Sequence, residues 1–296
     1  LSLHDALPIF LVTDNIYAPS RQYCDRVLKR FGVETTYFPP MIGADIERLM
    51  RPETKLVFTE SPGSQTFEVQ DVPAIAAAAR RHGAYTLMDN TWATPLFFRP
   101  FEHGVDVSVH AGTKYVVGHS DAMMGLVTYK GEVGKQLDAG VKDLGCPAGP
   151  DDCWLALRGL RTMGVRLKQH EQAGLEVARW LETRPEVTRV LHPALPSCPG
   201  HDVFTRDFLG SSGLFGFVMQ PCSKAALAAM LDPMELFGMG YSWGGYESLL
   251  IPTRPHRTAA AWADPGQAMR IHVGLEDPAD LVHELEAGFA RLRDAV

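Results

Sequence analysis

The chain has no G-x-G-x-x-G and no Walker loop, so a nucleotide phosphate has no glycine-rich cradle to sit in. No C-x-x-C pair occurs among its five cysteines (Cys24, Cys146, Cys153, Cys198 and Cys222). Scattered and odd in number, they exclude a disulfide framework or zinc knuckle and fit a reduced, cytoplasmic setting. Its eleven histidines include no H-x-H or H-E-x-x-H, so a metal-hydrolase reading has no support. A basic excess is missing too. The net charge of −7 argues against a nucleic-acid partner. No apolar run is long enough to span a bilayer, and no stretch has signal-peptide form, so a membrane partner is not expected.

What is present is a sequence of 296 residues, 46% apolar and 21% charged, enough for one large domain or two smaller ones. From Phe10 to about Lys130, β-rich runs alternate with amphipathic segments. "FLVTDN" is followed by the helical "SRQYCDRVLKRFG", then "VETTYF", "ADIERLM", "KLVFTE", "DVPAIAAAARRHG", "YTLMDN" and "VDVSVHA". Gly32 and Gly83 fall where helices should stop. This alternation predicts an α/β fold with a mostly parallel sheet covered on both faces. Ligands of such sheets bind beyond the carboxyl ends of the strands. Here those ends are 14–17, 60–64, 89–92 and 111–114, which carry a tyrosine, a carboxylate and a lysine.

The texture changes after "CPAGPDD". Apolar residues at helical spacing over about thirty residues, "DCWLALRGLRTMGVRLKQHEQAGLEVARWLETRP", predict one long linking helix. Beyond it "VTRVLHP", "GLFGFVMQ" and "MRIHVGL" read as strands of a mixed or antiparallel sheet. "SKAALAAMLDP" and "DPADLVHELEAGFARLRDA" read as helices. The expected organisation is therefore 10–160 as one domain and 161–296 as a smaller C-terminal α/β domain. Residues 1–9, "LSLHDALPI", resemble the translated end of a sequencing adapter and are expected to be non-native.

Lys114, in "SVHAGTKYVVGHSD", follows a β-branched run and sits among small residues. A lysine desolvated there has a lowered pKa and can form a Schiff base with an aldehyde, which pyridoxal phosphate exploits. Asp89 ends the apolar strand "AYTLMDN", where a carboxylate is costly without a cation; a protonated pyridine nitrogen would supply one. Thr113 could offer a hydroxyl to a phosphate. Singly, Lys114 and Asp89 have commoner explanations, as a solvated lysine and a turn or cap aspartate. Together at successive strand ends they favour the cofactor. His119 and Asp121 have no partners at ligand spacing and read as structural.

These segments resemble the cysteine/methionine-metabolism enzymes that use pyridoxal phosphate. "SVHAGTKYVVGHSD" is similar to their lysine signature and "MDNTWATP" to their aspartate strand. The likeness continues through "RGLRTMGVRLKQH", "HPALP", "SSGLFGF", "YSWGGYESL" and "RIHVGLED". It implies fold type I, the aspartate-aminotransferase-like α/β architecture, with a seven-stranded type of cofactor domain. In this chain that domain is expected to lack its N-terminal arm and its glycine-containing phosphate loop. "SWGGYES" and "ESPGSQ" point to the β-lyase branch, since the γ branches usually carry "SLGGVES" and "ESPxNP". The implied activity is β-elimination of cystathionine to homocysteine, pyruvate and ammonia. Alternatives are a γ-elimination, a cystine or cysteine desulfhydrase, or a non-catalytic piece that only associates with intact subunits. The resemblance implies Lys114 as aldehyde-binding residue, base and proton shuttle, and Asp89 as partner of the ring nitrogen. It implies Tyr17 stacked on the ring with a part in proton transfer, and Thr113 on the phosphate. Arg270 would clamp the substrate carboxylate, and Ser242 and Trp243 would line the pocket. Where many relatives have serine, Ala111 supplies no hydroxyl. A homotetramer built from dimers is implied as well.

Overall fold

Runs such as "FLVT", "KLVF" and "YTLM" favour extended chain, because β-branched and aromatic side chains pack well on a pleated surface. In the computed structural model, which describes residues 8–295, they become neighbouring strands of one sheet. Its members are β1 (Ile9–Thr13), β2 (Glu34–Phe38), β3 (Thr54–Glu60), β4 (Tyr85–Asp89), β5 (Val107–Ala111) and β6 (Gly125–Tyr129). Their order is β2-β1-β3-β4-β5-β6, parallel throughout except for the antiparallel β5–β6 pair. The register aligns Glu60 with Asp89 and Asp89 with Val109, so the carboxyl ends of β3, β4 and β5 open on one edge. The helix Val72–Arg81 covers one face. It starts at Asp71, whose carboxylate accepts the Ala74 N–H at 3.1 Å, and has a proline in its first turn. Its Ile75, Ala78 and Ala79 pack with Leu11, Phe38 and Val57.

The second sheet holds β7 (Val187–Leu191), β8 (Leu214–Met219), β9 (Leu249–Thr253) and β10 (Gln267–His272). Its order is β7-β8-β10-β9 and every pairing is antiparallel. One face packs on the helices Met163–Glu182, Lys224–Leu231 and Pro278–Asp294, through Val177, Leu181, Phe217, Ile271, Leu285 and Phe289. Truncating a fully buried Phe217 to alanine would cost about 3–5 kcal/mol. On the other face, Leu214 and Val218 join Phe67, Trp92, Phe204 and Phe208 in a core shared with the first sheet. The Trp92 Nε1–H donates to the Leu214 carbonyl at 2.7 Å across that seam.

Three local expectations change. The long linking helix is two helices, Pro150–Leu160 and Met163–Glu182. Gly159 lies so close to the 116–117 backbone that a Cβ would stand 2.2 Å from the Val117 carbonyl oxygen. The Arg166 guanidinium then takes the Gly159 and Tyr115 carbonyls at 2.8 Å each, so the chain turns there instead of running on. The segment after Tyr17 is a short α-helix (Ala18–Gln22) that loosens into a π turn and tightens into a 3₁₀ turn before Gly32. Ile9, expected outside the fold, is the buried first residue of β1, paired with Glu34. The rest of the adapter-like segment, apart from Pro8, lies outside the described residues.

Candidate active site

Beyond the carboxyl ends of β1, β3, β4 and β5 lies a cleft with a cavity volume of about 80 Å³. Tyr17, Glu60, Asp89, Lys114, Trp243 and Arg270 all line it. The parallel register brings the acids and the lysine to this edge. Arg270 arrives from β10 of the second sheet.

Lys114 stands three residues past β5 in a tight turn, its N–H donating to Ala111 O at 2.9 Å and its carbonyl accepting Gly118 N–H at 2.8 Å. Below it the ring of Tyr115 is fully buried. The Nζ donates to Ser242 Oγ at 2.9 Å and lies 5.2 Å from the Trp243 ring centre. Burial, and next the Arg270 charge, push its pKa down to about 8, with Asp89 opposing. A substantial neutral fraction at physiological pH is what a nucleophile or base requires.

Asp89 ends β4. Its Oδ1 accepts the Thr91 N–H at 2.9 Å and the Thr91 hydroxyl at 2.5 Å, and that hydroxyl in turn accepts the Ala111 N–H at 2.9 Å. Burial raises its pKa, while the Thr91 bonds and Lys114 work the other way. Arg270, itself buried, donates through Nη2 to the carbonyls of Gly240, Tyr241 and Ser242 at 3.2, 2.8 and 3.3 Å. Its pKa is pushed down to about 10, chiefly by burial. Tyr17 sits at the mouth with a half-exposed side chain, its backbone N–H donating to Glu60 Oε2 at 2.6 Å.

Of the residues singled out from sequence, Lys114, Asp89, Tyr17, Trp243 and Arg270 line this one cleft, and Ser242 meets it through the Lys114 bond. Thr113 does not line it. Its hydroxyl accepts the Met124 N–H at 2.8 Å and donates to Met124 O at 3.3 Å, so its one proton is committed to the backbone, not free for a phosphate. His119 binds its own Val117 carbonyl at 2.7 Å. Sequence reasoning gave no role to Glu60, to Gly244, which presses on Lys114, or to His272, whose Nε2 accepts the Gly244 N–H at 3.1 Å. The paired glycines of "SWGGYES" were the available signal for that contact.

The donor set fits pyridoxal phosphate at its aldehyde and ring. An amine depressed toward neutrality meets a carbonyl group. A partly buried carboxylate whose bonds come from one threonine has room for a cationic ring nitrogen. Such a cleft defines a lysine-dependent α/β enzyme of the carbonyl-cofactor class.

Comparison with known proteins gives the family. The chain belongs to the Cys/Met metabolism PLP-dependent enzymes, whose profile matches residues 5–290. It is 47% identical over 290 residues to cystathionine beta-lyase MetC of Escherichia coli K12, covering 95% of this chain and 73% of that protein. An L-alanine/L-glutamate racemase of Wolbachia pipientis wMel is 41% identical over 286 residues, covering 95% of this chain and 70% of that one. Among solved structures, cystathionine gamma synthase from Xanthomonas oryzae pv. oryzae, in complex with aminoacrylate and cysteine, superposes with a TM-score of 0.91. Its identity is 29%, over 99% of this chain and 78% of that chain. The fold is that of the type I pyridoxal phosphate enzymes, and the family's cofactor is pyridoxal phosphate. No helix among the described residues is long and apolar enough to cross a membrane.

Proposed function

We propose that this protein is a carbon–sulfur lyase that breaks the Cβ–S bond of cystathionine by β-elimination. The observation that carries the reading is the meeting of Lys114, Asp89 and Arg270 in one cleft. Its likeness to the Escherichia coli cystathionine beta-lyase supports the choice of substrate.

Bound pyridoxal phosphate supplies an aldehyde for the substrate amine and a ring that accepts the electrons of the Cα–H bond. The protein's residues do the rest. Arg270 binds the substrate α-carboxylate and thereby presents Cα to Lys114. The Lys114 Nζ takes the Cα proton, its pKa of about 8 keeping part of it neutral. The same Nζ, now charged, delivers a proton to the departing sulfur. Asp89 holds its charge opposite the ring nitrogen. Tyr17 covers the ring, and Trp243 screens the amine from water. The overall balance is cystathionine plus water giving homocysteine, pyruvate and ammonia. Thr113 and Ser242 remain candidates for ligand contact only if a ligand displaces their present partners. The inferred division into a cofactor domain (10–160) and a C-terminal domain (161–296) puts the amine and the acids on the first and Arg270 on the second. Cytoplasmic action as a homotetramer built from dimers accompanies this reading.

The test is pyruvate and thiol release from L-cystathionine, L-cystine and L-cysteine by the cofactor-loaded protein, with racemisation of L-alanine followed alongside. Pyruvate and homocysteine from cystathionine at the highest kcat/KM is the expected result. Racemisation without pyruvate would replace lyase by racemase.

A further inference from the structure

The cleft contains a second acid that the mechanism leaves idle. Glu60 closes β3 beside Asp89, its register partner on β4, so two acids end neighbouring strands about 4.8 Å apart at the backbone. Both line the same cleft, but their partners differ. Asp89 accepts an N–H and a hydroxyl from Thr91 and lies in the field of Lys114. Glu60 accepts the backbone N–H of Tyr17 at 2.6 Å.

We propose that Glu60 is a positioning residue of this site: held as the neutral acid, it seats Tyr17 through the backbone N–H and leaves Asp89 as the cleft's one carboxylate charge. The proposal rests on the reading of the cleft as the pyridoxal phosphate site.

Two adjacent acids in a poorly solvated pocket do not both ionise, and the better-supported anion takes the charge. Asp89 has two donors and a nearby cation. Glu60 has one donor, and burial followed by the Asp89 charge holds its carboxyl well above the usual range. The other titratable groups facing the cleft are Lys114, Arg270 and the Tyr17 phenol. Lys114 is bonded to Ser242 and Arg270 to three carbonyls, so neither cation is committed to Glu60. Tyr17, meanwhile, immediately precedes a five-residue helix and makes no side-chain cap. Its ring is half exposed, so a backbone tether is what fixes where that ring lies. Glu60 provides the tether with one oxygen, and as an acid keeps a proton on the carboxyl.

Glu60→Gln copies the neutral acid in shape and hydrogen bonding; Glu60→Ala removes it. The probes are pyridoxal phosphate, titrated by visible absorbance, and the infrared C=O band of a protonated carboxyl at neutral pH. Glu60→Gln should bind the cofactor within about twofold of wild type. Glu60→Ala should weaken it about tenfold, the size of one lost hydrogen bond. Tyr17→Ala should absorb that loss, so that the Tyr17→Ala/Glu60→Ala double variant binds no worse than Tyr17→Ala alone. The acid band should be present in wild type and absent from Glu60→Gln. Glu60→Gln as weak as Glu60→Ala, or no acid band in wild type, overturns the proposal. If Glu60→Ala does not fold, Glu60→Gln and the infrared band decide. Wild-type protein that takes up no pyridoxal phosphate removes the cofactor reading and this proposal together, whereas uptake with Glu60→Gln impaired overturns this proposal alone.

Discussion

Gly244 rests on Lys114: a Cβ built on Gly244 would lie 3.0 Å from Lys114 Cβ and 3.1 Å from its Cα and carbonyl carbon. The contact brings the 242–245 loop close enough for Ser242 Oγ to accept the lysine Nζ. Gly244 also has φ +83°, a region that costs a non-glycine residue roughly 1 kcal/mol before any clash. Gly244→Ala should therefore destabilise the fold by about 1–3 kcal/mol and weaken cofactor uptake with it. Thermal unfolding and an absorbance titration check this. A variant with unchanged Tm and uptake would show that the close approach is dispensable.

Lys114 should carry a cost in stability as well as the chemistry. Its pKa falls from 10.5 unfolded to about 8 folded, because burial disfavours the charged amine. The unfolded chain therefore binds more protons between those values, and stability rises with pH from about 8 to 10.5. Below that window the penalty is fully present. Lys114→Met should be more stable than wild type at neutral pH by up to about 3 kcal/mol, with the difference closing above the window. Pyruvate release should fall at least about 10³-fold in the same variant. Denaturant unfolding of cofactor-free protein across pH, beside a turnover assay, separates the two effects.

The parallel strands, their order of chemistry and the lysine motif were legible because buried strands are short apolar runs and their carboxyl ends follow from the pattern. β6 was not, since its five residues are all exposed and show no inside–outside alternation. Nor was β9, whose "LLIPT" sits within a proline-bearing loop sequence. The break at 161–162 was hidden because helical periodicity runs through it. What stops the helix is a tertiary contact, Gly159 on the 116–117 carbonyls. The role of Glu60 was equally invisible. Only the register sets it beside Asp89, and only the fold carries Tyr17 to it.

Arg270→Ala should lower kcat/KM for amino-acid substrates by about 10²-fold or more, as expected when a desolvated charge-assisted pair is lost. Arg270→Lys should recover little, because an ammonium cannot reproduce the planar fork. The loss should fall mainly on KM if the carboxylate contact is equally strong throughout the reaction. Steady-state kinetics on cystathionine and on its α-carboxamide distinguish the cases. Equal losses on both substrates would remove Arg270 from the carboxylate-binding role.

Asp14, just past the end of β1, holds the 258–260 loop that lies between β9 and β10. Its carboxylate accepts the backbone N–H groups of Thr258, Ala259 and Ala260 at 2.7–2.9 Å, and the Arg21 guanidinium at 2.5 Å. Burial alone would raise its pKa, but these donors together outweigh burial and hold it below the ordinary 3.8. A carboxyl depressed in the folded state stabilises fully above 3.8, and the contribution is lost as pH falls through the folded value. Asp14→Ala should cost about 3–5 kcal/mol at neutral pH, since it strands Arg21 and three backbone donors. Asp14→Asn keeps the shape but one side of its amide repels the N–H groups, so it should recover only part of that loss. As pH falls below 3.8 the gap between the variants and wild type should narrow. Urea unfolding at neutral pH and near pH 3 measures both quantities. A penalty for Asp14→Ala that stays the same size at both would mean that packing, and not the charge, joins the 258–260 loop to β1.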